Sequence, residues 1–264
     1  MRYFLVSLLV CASVFCLNSC DSSSGSADGG VSVYSPTFYF KQMTNLTIDV
    51  VYESGAEPYV GTSGAGLNYW DVTLQNLQAV FTGRNVSFTV PKTLAEMRSI
   101  PTQNRSVWST TDAINLANQY RNGDSSGTSG KIFIAFVKGY AAKSDGSANT
   151  AVIGYSVTGT NVIIIFKQVV QASGVVPSGP VPRFVEQSTI VHELAHAIGF
   201  VNNGIPTTTA HHDSAHGAHC SNPNCVMYYL NEGASDLANF ISNFQSSQNA
   251  VMFDNACLDD AKSF

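Results

Sequence analysis

The string TIVHELAHAIG at residues 189–199 constrains this chain more than any other stretch. Val191, Leu194, Ala195 and Ile198 recur at helical spacing and form one apolar face. A helix built on them must bury that face, and Gly199 stands where such a helix can stop. His192 and His196 are four residues apart, so they share a side of the helix and can aim two imidazoles at one cation. Glu193 lies beside them, placed to take the proton of a water that the cation activates. The expected metal is a single catalytic Zn2+, held by His192, His196 and a third ligand further along the chain, with Glu193 as general base.

The rest of the pattern supplies a scaffold for that helix. Residues 45–52, 86–90, 131–137, 151–156 and 161–166 read as strands, and 70–81 and 111–120 as helices. A Gly- and Pro-rich stretch at 174–182 leads into the histidine helix. The fold class expected is α+β: a mixed sheet with backing helices, then the active-site helix, then a loop-rich segment with C-terminal helices. An exposed edge strand of that sheet can pair with an extended peptide, and residues 151–156 are the candidate edge.

The first residues carry one positive charge and then an apolar run to about Leu17, a signal-peptide layout too short for a membrane span. The run ends in LNSC, which resembles a bacterial lipoprotein box. That resemblance implies cleavage before Cys20 and a lipid on its sulfur. The expected organisation is a signal peptide at 1–19, a lipidated Cys20 with a flexible tether to 37, and a zinc peptidase domain at 38–264. It places the protein in a bacterial cell envelope, lipid-anchored, at the outer membrane or cell surface. The net charge of −5 offers no basic stripe for nucleic acid, and the chain is expected to be a monomer acting on a protein or peptide.

Beyond the signal peptide and Cys20 the cysteines are Cys220, Cys225 and Cys257. Three thiols leave one unpaired in an oxidising compartment, or else they share a metal.

The segment from His192 to Tyr229 resembles the metzincin clan of zinc peptidases, whose pattern is H-E-x-x-H-x-x-G-x-x-H followed by a methionine-containing turn. His192, Glu193, His196 and Gly199 match in place, but Asn202 stands where the third histidine belongs, and Asn202-Asn203-Gly204 reads as a turn. Further on, HCSNPNCVM at 219–227 is similar to the archaemetzincin branch, and the segment is also similar to predicted membrane-anchored metalloproteases of Bacteroidetes. The resemblance implies His219 as third ligand and Met227 as the Met-turn residue, with 202–218 an insertion. That branch also carries a second zinc on four cysteines. Here Cys220 and Cys225 match, whereas the last pair is reduced to Cys257. A Cys3Asp site is one alternative, and a Cys220–Cys225 disulfide with Cys257 free is the favoured one.

Other assignments stay open. His211, His212 and His216 in the insertion are rival third ligands, and His211 with Asp213 can form a ligand–carboxylate pair. Tyr229 reaches a metal-bound oxyanion in some metzincins. Residues 231–236, NEGASD, resemble a thermolysin-like string in which Glu232 is the third ligand and Asp236 steadies a histidine. The resemblance implies a zinc-dependent endopeptidase; the alternatives are a thermolysin-like peptidase and a non-catalytic surface binding lipoprotein with a degenerate zinc site.

Overall fold

The computed structural model describes residues 31–264 apart from 65, 175–179, 234–236, 238, 239 and 242–249. The signal peptide, Cys20, the tether to residue 30 and Asp236 lie outside the described residues.

The chain folds as α+β around a mixed sheet. Strands β1 (Asn45–Glu53), β5 (Ser129–Val137) and β9 (Val162–Phe166) form its parallel centre. β5 and β9 carry continuous apolar runs because layers cover both faces, whereas β1 alternates polar and apolar residues from Asn45 to Val50. β2 (Ser87–Thr89) and β3 (Arg98–Ile100) both pair with β1 on the side away from β5. At the opposite end β8 (Gly154–Ser156) pairs antiparallel with β9, Tyr155 facing Ile164. Beyond β8 the sheet has no further strand among the described residues, so 151–156 does carry a sheet edge. A small second sheet joins β4 (Val107–Trp108), β6 (Tyr140–Ala142) and β7 (Ala148–Asn149).

Helices α1 (Tyr69–Val80) and α2 (Thr110–Tyr120) start at side chains that bond freed backbone N–H groups, Asn68 and Ser109. After β9 comes the short α3 (Lys167–Ala172), then α4 (Pro180–Ile198), which carries the histidines. α4 lies against β8, β9, α1 and α3. The last helix, α5 (Asn255–Ser263), is capped by Asp254.

Residues 34–37 belong to this fold rather than to the tether expected to reach 37. Tyr34 donates its hydroxyl proton to Asp124 at 2.7 Å. Pro36 fills the space beside Gly199 and Gly204, where a β-carbon would lie 2.4 and 2.6 Å from its ring. Gly199 also takes a φ of +101° as it ends α4, a conformation open to glycine and strained for other residues.

One buried ion pair fixes α4 to the sheet. Lys167, the first residue of α3 directly after β9, meets Glu186 of α4 with both side chains at most 2% exposed. Glu186 also accepts the Tyr59 N–H at 2.7 Å, and the Lys167 ammonium sits 3.2 Å from the Tyr59 ring centroid. Removing one partner leaves a buried charge unpaired. Lys167→Met is therefore expected to cost about 3–5 kcal/mol, seen as a fall in thermal midpoint. A melt unchanged from wild type would show that the pair does not hold α4.

Candidate metal centre

α4 is buried on nearly every side from Phe184 onward. Its apolar face packs on the core as the spacing predicts, but the histidine side is covered too: His192 is 1% and Glu193 3% exposed. The cover comes from β8 on one flank and from residues 219–233 on the other.

Two of the candidate ligands are oriented through their second nitrogen. His192 Nδ1 lies 2.7 Å from the Val226 carbonyl, and His219 Nδ1 lies 2.6 Å from the His216 carbonyl. A carbonyl only accepts, so both rings carry their proton on Nδ1 and turn a bare Nε2 inward. His192 Nε2 and His196 Nε2 are 3.0 Å apart. His219 Nε2 is buried and makes no hydrogen bond; Glu232 Oε1 is 3.1 Å away but not in hydrogen-bonding geometry. With His192 Nε2 bare, the proton of that contact sits on His196 Nε2, where a cation would displace it; ring nitrogens this close together fit a shared cation. Tetrahedral Zn2+ with ligand bonds of about 2.0–2.1 Å sets nitrogens roughly 3.3 Å apart.

His192, His196, His219 and Glu232 thus form a cluster that can bind a metal ion. Burial drives the His192 pKa down to about 4 and that of His196 well below its ordinary value, which keeps both neutral and able to ligate. His219 goes the other way. Burial pulls it down, but the Glu232 carboxylate and the His216 carbonyl outweigh that. Glu232 is held low by His219 and His192 against its own burial.

Glu193 is not among the converging side chains; its Oε2 accepts the Ser156 N–H of β8 at 2.7 Å. Burial pushes its pKa up to about 8, and the nearby Glu232 adds to the rise; a cation on the imidazoles would pull it back down. Gly154 is what lets β8 come this close. A β-carbon there would meet the Ile164 carbonyl oxygen at 2.9 Å and Thr189 of α4 at 3.0 Å.

Residues 225–228 make a tight turn, with the Tyr228 N–H bonded to the Cys225 carbonyl. Asn231 clamps the turn by donating to the Cys225 and Val226 carbonyls. Met227 is fully buried in it.

The rival residues are placed elsewhere. Asn202 is an exposed turn residue with φ +61°. His212 bonds the Gly217 carbonyl. His216 bonds Asp213, so that carboxylate serves His216 rather than His211, and the His216 ring stacks on Tyr229 at 3.6 Å. His211 lies with the cysteines. The disulfide expected between Cys220 and Cys225 is not formed: all three thiols are free and buried, and with Asp254 they form a second cluster that could hold a metal ion. The orienting groups, Ser156 N–H and the Val226 carbonyl, carry no sequence signature because both are backbone atoms.

Beside the cluster is a cleft of about 250 Å3 lined in part by Trp108, Ser109, Asn149, Tyr155 and Glu232. Comparison with protein-family models, curated proteins and solved structures finds no match to this chain.

Proposed function

We propose that this protein is a zinc-dependent peptidase whose ion is held by His192, His196 and His219. The observation that carries the reading is the buried Nε2 of His219, without a hydrogen-bond partner, converging with the Nε2 atoms of a histidine pair on α4 that lie 3.0 Å apart. Neutral imidazoles suit Zn2+. When bound, the ion supplies a Lewis acid that acidifies water and polarises a carbonyl.

The chain's own residues do the remainder. Glu193 is fixed by the Ser156 N–H, and from there it takes the proton of the attacking water and returns it to the leaving amine. The outer edge of β8, apart from the Ser156 N–H held by Glu193 and the Val152–Gly233 bridge, offers backbone groups to an extended peptide. The cleft between Trp108 and Glu232 receives one of that peptide's side chains. On this reading the fold is metzincin-like, with residues 225–228 as its Met-turn.

Glu232 supports a second reading. Its carboxylate lies 3.1 Å from His219 Nε2 and 3.9 Å from His192 Nε2, close enough to fill a fourth position. Four protein ligands make a closed site, which suits a binding module rather than an enzyme. A peptide library separates the two. The peptidase cleaves it when loaded with zinc, stops on chelation and recovers on adding zinc back. Stoichiometric zinc with no cleavage would sustain the binding module instead.

A further inference from the structure

We propose that a cavity at the carboxyl ends of β1, β3, β5 and β9 is a second binding site, for a free α-amino acid held between Glu53 and Lys138. It shares no lining residue with the cleft beside the metal cluster, and it stands whether or not that cluster is a peptidase centre.

Sheet topology opens the cavity. β1 leads through α1 to β2 and β3 on one side of it, whereas β5 lies on its other side and leads outward to β9. The chain therefore leaves β1 and β5 in opposite directions. A crevice forms at the carboxyl ends of two such strands, and ligands of open, largely parallel sheets bind there. Glu53 ends β1, Lys138 and Gly139 directly follow β5, Gln168 lies just past β9, and residues 104–106 come after β3. The cavity they line measures about 420 Å3, a size that suits a small molecule.

The wall is built rather than incidental. Gly139 has a φ of +94°, and a β-carbon there would lie 2.6 Å from the Ser106 carbonyl oxygen. Only glycine lets the chain after β5 lie this close to the chain before β4. The Gly139 N–H donates to Gln168 Oε1 at 2.8 Å, which leaves the Gln168 NH2 as the end of that amide free to donate to a ligand.

Two opposite charges line this cavity without pairing. Glu53 is 1% exposed and short of donors: Oε2 accepts the Gln103 N–H at 3.4 Å, and Oε1 is buried with no hydrogen bond. A buried carboxylate oxygen left this way is costly. Burial pushes the Glu53 pKa up, and the Lys138 charge opposes the rise. Yet Lys138 makes no ion pair among the described residues, with Glu53 or with any other carboxylate. Arg105, the other cation of the lining, is already held by Asp112 at 3.0 Å.

A ligand that satisfies both groups carries both charges within a short span. The ammonium of an α-amino acid supplies the donor that Glu53 lacks, as a charge-assisted bond, and its carboxylate accepts from Lys138 and the Gln168 NH2. A divalent cation fits worse. Glu53 is the only carboxylate of the lining, whereas such a cation gathers several oxygens, and Lys138 would repel it. A neutral sugar would leave both charges without a counter-charge.

The test is thermal shift of the purified, zinc-loaded protein against the free L-amino acids one at a time, then calorimetry on the one with the largest effect. At least one should raise the thermal midpoint and bind stoichiometrically. Its N-acetyl and α-carboxamide derivatives each lack one charge, and each should bind more weakly by about 10–100-fold, the worth of one hydrogen bond to a charged group. Glu53→Gln and Lys138→Met should show the same loss with zinc content unchanged. Lys138 is only half-buried, so a wild-type melt of Lys138→Met without ligand separates lost binding from lost folding. Binding should persist in His192→Ala, which separates this site from chelation of the metal by an amino acid. No midpoint shift with any amino acid overturns the site, as does binding that Glu53→Gln and Lys138→Met both leave intact, or that His192→Ala abolishes. Glucose binding as tightly as the amino acid, with the same loss in Glu53→Gln, overturns the ligand class.

Discussion

Glu193→Gln is expected to keep its zinc and lose peptide hydrolysis by about two to four orders of magnitude, the usual worth of a positioned general base. The substitution is nearly isosteric, and its amide oxygen can still accept the Ser156 N–H that orients Glu193 at 2.7 Å. It cannot accept a proton from water. Glu193 is not among the side chains whose ligand atoms converge, so metal content should not change. The paired measurement is zinc per chain and kcat/KM on one cleaved peptide from the library. Cleavage within tenfold of wild type would place the base elsewhere, and Glu232, the other carboxylate at the cleft, would be the next residue to remove. Loss of zinc together with activity would instead make Glu193 a structural support of the site.

The parts of this molecule that follow from local pattern were readable in the sequence. The parts set by tertiary pairing were not. The long runs of β1, β5 and β9 and the helices α1 and α2 appear where apolar spacing predicts them. Strands β3, β4, β6 and β7 have two or three residues each, too short to show any period; pairing with neighbours creates them. α3 was hidden for a related reason, since Lys167 inside a core reads as a surface residue until its partner Glu186 is known. The HELAH helix was legible, but the apolar face suggested one buried side, whereas β8 and residues 219–233 bury the other as well. The disulfide expectation weighed sulfur chemistry by compartment alone. It took the fold to show Asp254 gathered with all three thiols.

His219→Ala decides which residue completes the first site. With His219 as third ligand, the variant should lose affinity for zinc by more than the about 10–100-fold that follows removal of an outer-shell partner, and peptide hydrolysis should go with it. Glu232→Gln should then retain zinc, because three imidazoles remain. If Glu232 is the third ligand, as the thermolysin-like alternative has it, the two variants exchange behaviour: His219→Ala keeps a His2Glu set and Glu232→Gln loses its ion. The geometry favours the first outcome. His219 is 6% exposed with its Nδ1 already fixed by the His216 carbonyl, whereas the Glu232 side chain is 48% exposed. A ligand held in place before the ion arrives loses little entropy on binding it, and a half-exposed carboxylate on a short turn must be ordered first. Glu232 also lines the cleft, where an incoming peptide would displace it. Glu232→Gln is accordingly expected to leave zinc bound and cleavage intact or faster. A Glu232→Gln protein purified without zinc would reverse the assignment of the two residues.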